Sequence, residues 1–157
     1  MKNYKSLQHG IMAMAAVMLA ISIGCKPKGA STAISGNAAE KVYVAPGQYD
    51  EFYLFASGGF SGQIGVYGLP SGRLLRVIPI FSVDAEKGYG FSEESKNMLN
   101  TSHGFVPWDD AHHPQLSQTN GEVDGKWIFI NGNNTPRIAR VDLTTFTTKE
   151  IIEIPNT

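Results

Sequence analysis

Short runs of alternating apolar and polar residues, separated by clusters of glycine, asparagine, serine and proline, dominate the chain from about residue 42 onward. β-Branched and aromatic residues are frequent in these runs, which predicts antiparallel strands joined by tight turns. This region shows no convincing helical period, except that Ser92 to Asn100 is compatible with one short helix. The pattern therefore predicts an all-β fold.

One strand–turn–strand unit occurs twice in this region. Segment 53–69 aligns with segment 127–143 without a gap, at an offset of 74 residues. A third strand is predicted to follow each copy, over Arg73 to Ile80 and Thr147 to Ile154. Repeated antiparallel units of three or four strands are typical of a β-propeller. The matched positions are Tyr53 with Trp127, Phe55 with Phe129, Gly58 with Gly132, Ile64 with Ile138, and Leu69 with Leu143.

Residues 81–124 separate the two copies and lengthen the period beyond the roughly 40–50 residues usual for propellers. We interpret this insertion as a long loop on a rigid repeat, a common location for functional residues. Propellers typically have about four to eight blades, whereas this chain has material for about two. We therefore expect residues 42–157 to be the first blades of an incomplete propeller, from the N-terminal part of a longer protein. The alternative is a small two-sheet sandwich that is complete as written.

Residues 1–25 have the pattern of a secretory signal peptide. A short positive region that contains Lys2 precedes an apolar run from Ile11 to Ile23. The run is shorter than the about 20 residues that a membrane-spanning helix needs. Cys25 follows the run directly and resembles the lipid-bearing cysteine of bacterial lipoproteins, although Ser22 stands where leucine is usual. The alternative is an ordinary signal peptide with an incidental cysteine.

The rest of the composition narrows the possible classes of function. Residues 26–41 are polar and small, which predicts a flexible linker. Thirteen basic and fourteen acidic residues give a net charge of −1 without a basic stripe, so nothing suggests a nucleic-acid partner. A single cysteine excludes an intrachain disulfide. We expect an exported, periplasmic protein, tethered to the membrane if Cys25 carries lipid.

The segment from Trp108 to Pro114, Trp-Asp-Asp-Ala-His-His-Pro, holds two of the four histidines of the chain. Imidazole is the commonest protein ligand for metals such as copper and zinc. Neighbouring residues on a regular strand point to opposite faces, which disfavours a single shared ion for His112 and His113. A turn could bring the two rings together, or each could bind a different ion of a multinuclear cluster. The alternative is a pair of polar loop residues without a metal.

Other residues near the pair have two interpretations each. Asp109 and Asp110 either orient ligating imidazoles or form a turn before the proline. His103 is a further candidate ligand, although a loop histidine without that role is more common. Trp108 and Trp127 are expected in the core. The glycine-rich stretch 57–62 lacks the lysine of a phosphate-binding loop and is interpreted as a turn.

Segments 102–115 and 125–140 resemble the first histidine-pair motif of the nitrous-oxide reductase family. Within the first segment the core is Asp110-Ala111-His112-His113-Pro114, and the resemblance extends from about Tyr53 to Thr157. The general secretory signal is similar to that of the branch of the family sometimes called atypical.

This resemblance implies an N-terminal seven-bladed propeller and a C-terminal cupredoxin domain. It further implies a tetranuclear copper–sulfide cluster bound by seven histidines, and a dinuclear copper centre that receives electrons. A head-to-tail homodimer, with a periplasmic electron donor such as a cytochrome c, would reduce nitrous oxide to dinitrogen and water, the last step of denitrification.

Carried over by position, His112 and His113 match the first two cluster ligands of the family. Asp110 matches a carboxylate that lines the cluster pocket and is the candidate catalytic residue. The other five histidines and the dinuclear site have no counterpart in this chain, so we expect the chain alone to be inactive. The resemblance allows calcium in the full-length parent, at residues that this chain does not assign. The competing hypothesis is a non-enzymatic, exported β-propeller lipoprotein that acts as a binding module and needs no copper.

Overall fold

Nine strands and two short helices follow one another along residues 37–154, the part of the chain that the computed structural model describes. The predicted signal peptide, with the lipidation site at Cys25, and most of the predicted linker lie outside the described residues. Among residues 37–154, no helix is both long enough and apolar enough to cross a membrane.

The strands form two main antiparallel sheets and one small hairpin. The first sheet contains β1 (Phe52–Ser57), β2 (Gln63–Leu69) and β3 (Leu74–Pro79), in that order. The second sheet contains β6 (Ala111–Thr119), β7 (Glu122–Gly132), β8 (Arg137–Asp142) and β9 (Thr147–Glu153), also in chain order. The remaining elements are α1 (Asn37–Val42), α2 (Glu93–Leu99) and the hairpin of β4 (Asn100–Thr101) and β5 (Gly104–Phe105).

The predicted all-β class is confirmed, and so is the short helix between Ser92 and Asn100. Helix α2 begins after Ser92, whose side-chain oxygen accepts a hydrogen bond from the Ser95 backbone N at 3.2 Å. This arrangement is a usual N-cap, because it satisfies a backbone donor that has no partner within the helix. Helix α1 was not predicted from the sequence; it lies almost wholly within the predicted linker and buries no residue.

The two sheets repeat each other in register. At an offset of 74 residues, β1, β2 and β3 correspond to parts of β7, β8 and β9. Tyr53 pairs with Gly68 in the first sheet as Trp127 pairs with Asp142 in the second. Even the irregularity between Val66 and Tyr67 recurs at the corresponding place, between Arg140 and Val141. The predicted repeat is therefore confirmed as a structural one, with β6 as an additional strand of the second sheet.

One hydrophobic core lies between the two sheets. In β2 the fully buried positions are Ile64 and Val66, whereas in β8 they are Ala139 and Val141. Relative to the repeat, burial has shifted by one residue, so the two sheets present opposite faces to the core. The front of one sheet therefore packs against the back of the next, as in successive blades of a propeller. Each fully buried aliphatic side chain contributes about 1.5–3 kcal/mol to this packing.

Candidate metal centre

His112 and His113 lie on strand β6, and the prediction that they belong to a long loop is wrong. Only part of the segment between the repeated copies is irregular, because β6 pairs with β7 and extends the second sheet. His112 faces Asn131 in this pairing, and the regular register is interrupted between His112 and Gln115. Pro114 is tolerated here because β6 is the outermost strand of its sheet and is irregular at this point.

The backbone of His113 brings the two imidazoles together. Its φ angle is +53°, in the left-handed region that residues with side chains seldom adopt. The alternation of a regular strand is therefore broken, and the ring centroids of His112 and His113 lie only 5.6 Å apart, at an interplanar angle of 84°. The conflict between adjacent positions and a shared site thus disappears, and both rings can contact one metal cluster. Backbone strain of this kind often occurs at functional sites.

Asp110 supplies a buried carboxylate beside the pair. Its Oδ2 atom lies 3.0 Å from Nε2 of His112, and its side chain is only 5% exposed. The other oxygen, Oδ1, is buried without a hydrogen-bond partner. A buried acceptor without a partner is costly, so its presence indicates a position prepared for a donor or a cation. Two neighbouring imidazoles and a buried carboxylate oxygen thus fit a copper site in the chemistry of their donor atoms.

Asp109 turns away from the histidines, although one sequence interpretation had it orienting an imidazole. Its side chain is fully buried and accepts hydrogen bonds from the backbone N atoms of Asn134 (2.9 Å) and Thr135 (3.0 Å). The Asn134 side-chain amide and the Thr135 hydroxyl also donate to it. Burial alone would raise the pKa of Asp109, but the hydrogen bonds from Thr135 and Asn134 outweigh it and lower the pKa below its ordinary value.

Arg137 is buried next to Asp109 and completes the same network. Its Nη1 atom donates to the Val106 carbonyl at 3.0 Å, and Nη2 lies 3.4 Å from the Trp108 carbonyl. Nη2 is also 3.5 Å from Oδ2 of Asp109, while the guanidinium lies over the Phe81 ring at 4.9 Å. Sequence reasoning missed Arg137 and the Asn134–Thr135 turn, because turn chemistry was the only signal there. A buried arginine cannot be distinguished from a surface one by strand alternation alone.

The other candidates lie outside this arrangement. His103 is in the β4–β5 turn, where its backbone N donates to the Thr101 hydroxyl. Trp108 is 45% exposed, so the prediction that it is a core residue is wrong. It stacks in parallel on Phe60, with ring centroids 6.3 Å apart, and its indole N donates to the Phe60 carbonyl. In the part of the chain that the structure describes, no three His, Cys, Asp or Glu residues are grouped so that they could hold a metal ion.

The fold and this geometry together describe part of a β-propeller protein, with two imidazoles and a buried carboxylate at the junction of two sheets. The chain is 40% identical over 148 residues to the nitrous-oxide reductase of Pseudomonas fluorescens, a match that covers 90% of this chain and 23% of that protein. It is 41% identical over 117 residues to the nitrous-oxide reductase of Stutzerimonas stutzeri, covering 74% of this chain and 18% of that protein. For the enzyme of Cupriavidus necator the identity is 37% over 140 residues, covering 87% and 22%.

These matches confirm the resemblance to nitrous-oxide reductases that the histidine-pair motif predicts. The chain spans about a fifth of the length of the curated relatives it matches. No protein-family model matches the chain.

Proposed function

We propose that this chain is part of a nitrous-oxide reductase, a copper enzyme that reduces nitrous oxide to dinitrogen and water. The reaction consumes two electrons and two protons for each molecule of nitrous oxide. The observation that carries the proposal is the pair of adjacent imidazoles beside buried Asp110, within a chain 37–41% identical to three such enzymes.

In this proposal His112 and His113 hold copper of a tetranuclear copper–sulfide cluster. The cluster, when bound, supplies the electrons for the reaction and a place for nitrous oxide to bind. The left-handed backbone at His113 keeps both imidazoles within reach of one cluster. Five further histidines would come from parts of the protein that this chain does not contain, so the chain alone lacks most copper ligands.

Asp110 has two functions in the proposal. Oδ2 holds His112 through Nε2, which fixes the orientation of that ring. With the hydrogen on Nε2, the Nδ1 atom of His112 is the lone-pair nitrogen that can ligate copper. The buried Oδ1 atom has no partner and can hold a proton or a hydrogen-bond donor beside the metal. Asp110 is therefore the candidate catalytic residue of this chain.

The remaining features of the proposal concern the whole protein. We place residues 42–157 at the start of a seven-bladed propeller, followed by a cupredoxin domain with a dinuclear copper centre. The active form is a homodimer that takes electrons from a periplasmic donor such as a cytochrome c, and the full-length protein can also hold calcium. Residues 1–25 direct export to the periplasm, and lipid on Cys25 tethers the protein to the membrane.

The direct test is an assay of the full-length protein, purified with copper and supplied with nitrous oxide and a reduced viologen dye. We expect gas turnover, and absence of turnover in a copper-loaded sample would contradict the proposal. His112→Ala and His113→Ala should each remove most of the cluster's visible absorption and most of the turnover. His103→Ala is the matched control, because it removes an imidazole from an exposed turn and should leave both intact. An unchanged copper count in the first two variants would refute their roles as ligands.

The lipid tether is tested separately, by labelling growing cells with radioactive palmitate. The full-length protein should be labelled and should fractionate with membranes. Cys25→Ser should be unlabelled and should appear in the soluble periplasmic fraction. An unsubstituted protein without label would favour the ordinary signal peptide.

A further inference from the structure

Asp109 and Arg137 form a buried, charged cluster that the proposed reaction does not use. The Asp109 side chain is 0% exposed and that of Arg137 is 1% exposed. Ionised groups are rarely buried to this extent unless they are paired and fully hydrogen-bonded, because removing charge from water is costly. Thr135 joins the two, since its hydroxyl donates to Asp109 and accepts a hydrogen bond from Nε of Arg137 at 2.6 Å.

The cluster connects three segments that surround the histidine pair. Asp109 holds the turn between β7 and β8 through the backbone N atoms of Asn134 and Thr135. Arg137 holds the segment that enters the site, through the carbonyls of Val106 and Trp108. The strand carrying the histidines thus begins at a point where both the preceding segment and the neighbouring turn are fixed.

The next two residues are held as firmly by backbone hydrogen bonds. The Asp110 carbonyl accepts a hydrogen bond from Asn133 N at 2.8 Å, and Ala111 N donates to the Gly59 carbonyl at 3.0 Å. The latter contact ties the second sheet to the β1–β2 turn of the first. Asp110 N also donates to Oδ1 of Asp109 at 2.7 Å, so the carboxylate of Asp109 orients the peptide that carries Asp110.

We infer that Asp109 and Arg137 are positioning residues, which fix Asp110 and the two imidazoles in the arrangement that binds copper without touching the metal themselves. This inference rests on the proposed function for the identity of the metal, but its geometric content does not. A loose segment would let Asp110 and His112 separate, and the rings would no longer share one side of the strand. Displacements of about 1 Å are enough to impair a preorganised site.

The test compares Asp109→Asn and Arg137→Lys with Asp124→Asn in the full-length protein. Asparagine keeps the shape of Asp109 but presents an N–H group to donors, and lysine cannot reproduce the fork of Arg137. Asp124 is the matched control, because it is also hydrogen-bonded, to Thr119 at 2.7 Å and to Lys126 N at 3.1 Å. It lies at the far end of the β6–β7 pair, so its loss weakens the same sheet without reaching the histidines.

Three measurements apply to each variant: the thermal midpoint, the copper content with the visible spectrum, and the ¹⁵N signals of the histidine rings in copper-free protein. His112→Ala and His113→Ala assign the relevant signals. We expect all three variants to lower the thermal midpoint. Only Asp109→Asn and Arg137→Lys should shift both imidazole signals, reduce bound copper at least twofold and alter the visible absorption.

The inference is overturned if Asp109→Asn and Arg137→Lys leave the imidazole signals and the copper content like those of Asp124→Asn. Should either variant fail to fold, Thr135→Val removes only the hydroxyl that joins the two charges, and the same signals must then shift. An unsubstituted protein that binds no copper would contradict the proposed function alone. The ring signals of copper-free protein would still decide whether the cluster positions the histidines.

Discussion

Ile64 and Ile138 occupy equivalent positions of the repeated unit, and their side chains lie on opposite sides of the packing. Ile64 is fully buried between the two sheets, whereas Ile138 lines a groove on the outer face of the second sheet. Phe129 and Ile152 lie on that outer face too, and they are 40% and 52% exposed. The second sheet therefore presents to its outside the face that the first sheet presents to the core, which suits packing of a further blade.

We expect Ile152→Asp to destabilise the full-length protein about as much as Ile78→Asp. Ile78 is buried between the sheets, whereas Ile152 is half-exposed among residues 37–154 and becomes buried only if another sheet covers it. An unpaired charge on a covered apolar face costs several kcal/mol. The measurement is the thermal midpoint of both variants. A midpoint for Ile152→Asp within about 1 °C of the unsubstituted protein would show that the outer face stays open to water.

His113 should prefer glycine to a β-branched residue, in contrast to its neighbours on the strand. A left-handed conformation costs a residue with a side chain about 1–2 kcal/mol relative to glycine. In copper-free protein we therefore expect His113→Val to be less stable than His113→Gly. Gln115 is the control, because it is exposed on the same strand without a positive φ. There valine should be more stable than glycine, by about 0.5–1 kcal/mol. The same order at both positions would contradict the backbone conformation described for His113.

Gly62 and Gly72 offer a matched pair for the contact between the β1–β2 turn and the histidine segment. Both have a positive φ, +65° and +71°. A Cβ atom at Gly62 would lie 2.5 Å from the Phe81 carbonyl oxygen and 2.9 Å from that of Asp109, whereas one at Gly72 would meet nothing within 4 Å. Gly72→Ala should cost about 1 kcal/mol through conformation alone, and Gly62→Ala a further ~1–3 kcal/mol through crowding.

Thermal unfolding of the two alanine variants measures this difference, and equal losses would mean that the turn can move away from the histidine segment. Gly62→Ala should also disturb copper binding, because it displaces the backbone of Asp109. Gly72→Ala should leave the copper content unchanged.

Asp109 should contribute to stability only above the ordinary titration range of a carboxyl group. Burial raises its pKa, but the hydrogen bonds from Thr135 and Asn134 lower it further, so the folded pKa is below the unfolded one. The stabilisation is therefore complete above about pH 4, the unfolded value, and is lost as the pH falls through the folded pKa. The gap in thermal midpoint between unsubstituted protein and Asp109→Asn should be constant from pH 5 to 7 and narrow below pH 4. A gap that narrows above pH 5 would show that the folded pKa is raised instead.

Local patterns were sufficient to predict the strands and their repeat, because alternation and turn residues act within a few positions of the chain. The location of His112 was misjudged, since Ala111, His112 and Pro114 show neither strand alternation nor a clear turn. The pairing of β6 with β7 compensates for this weak local signal. The burial of Arg137 could not be predicted either, because its partners Val106, Trp108 and Asp109 are about 30 residues away. The same alternation occurs in β2 and β8, and only the packing of the sheets decides which face is buried.

The two sheets differ by one strand, since the first has no counterpart of β6. The corresponding part of the chain, residues 37–45, forms α1 and an irregular stretch instead. Among the described residues, β1 therefore has one edge that no strand covers. Its backbone donors and acceptors offer a template on which a strand from another molecule can assemble. Concentrated solutions of this segment by itself should for this reason form oligomers through main-chain pairing, and recombinant production is best attempted with the edge covered by the rest of the protein.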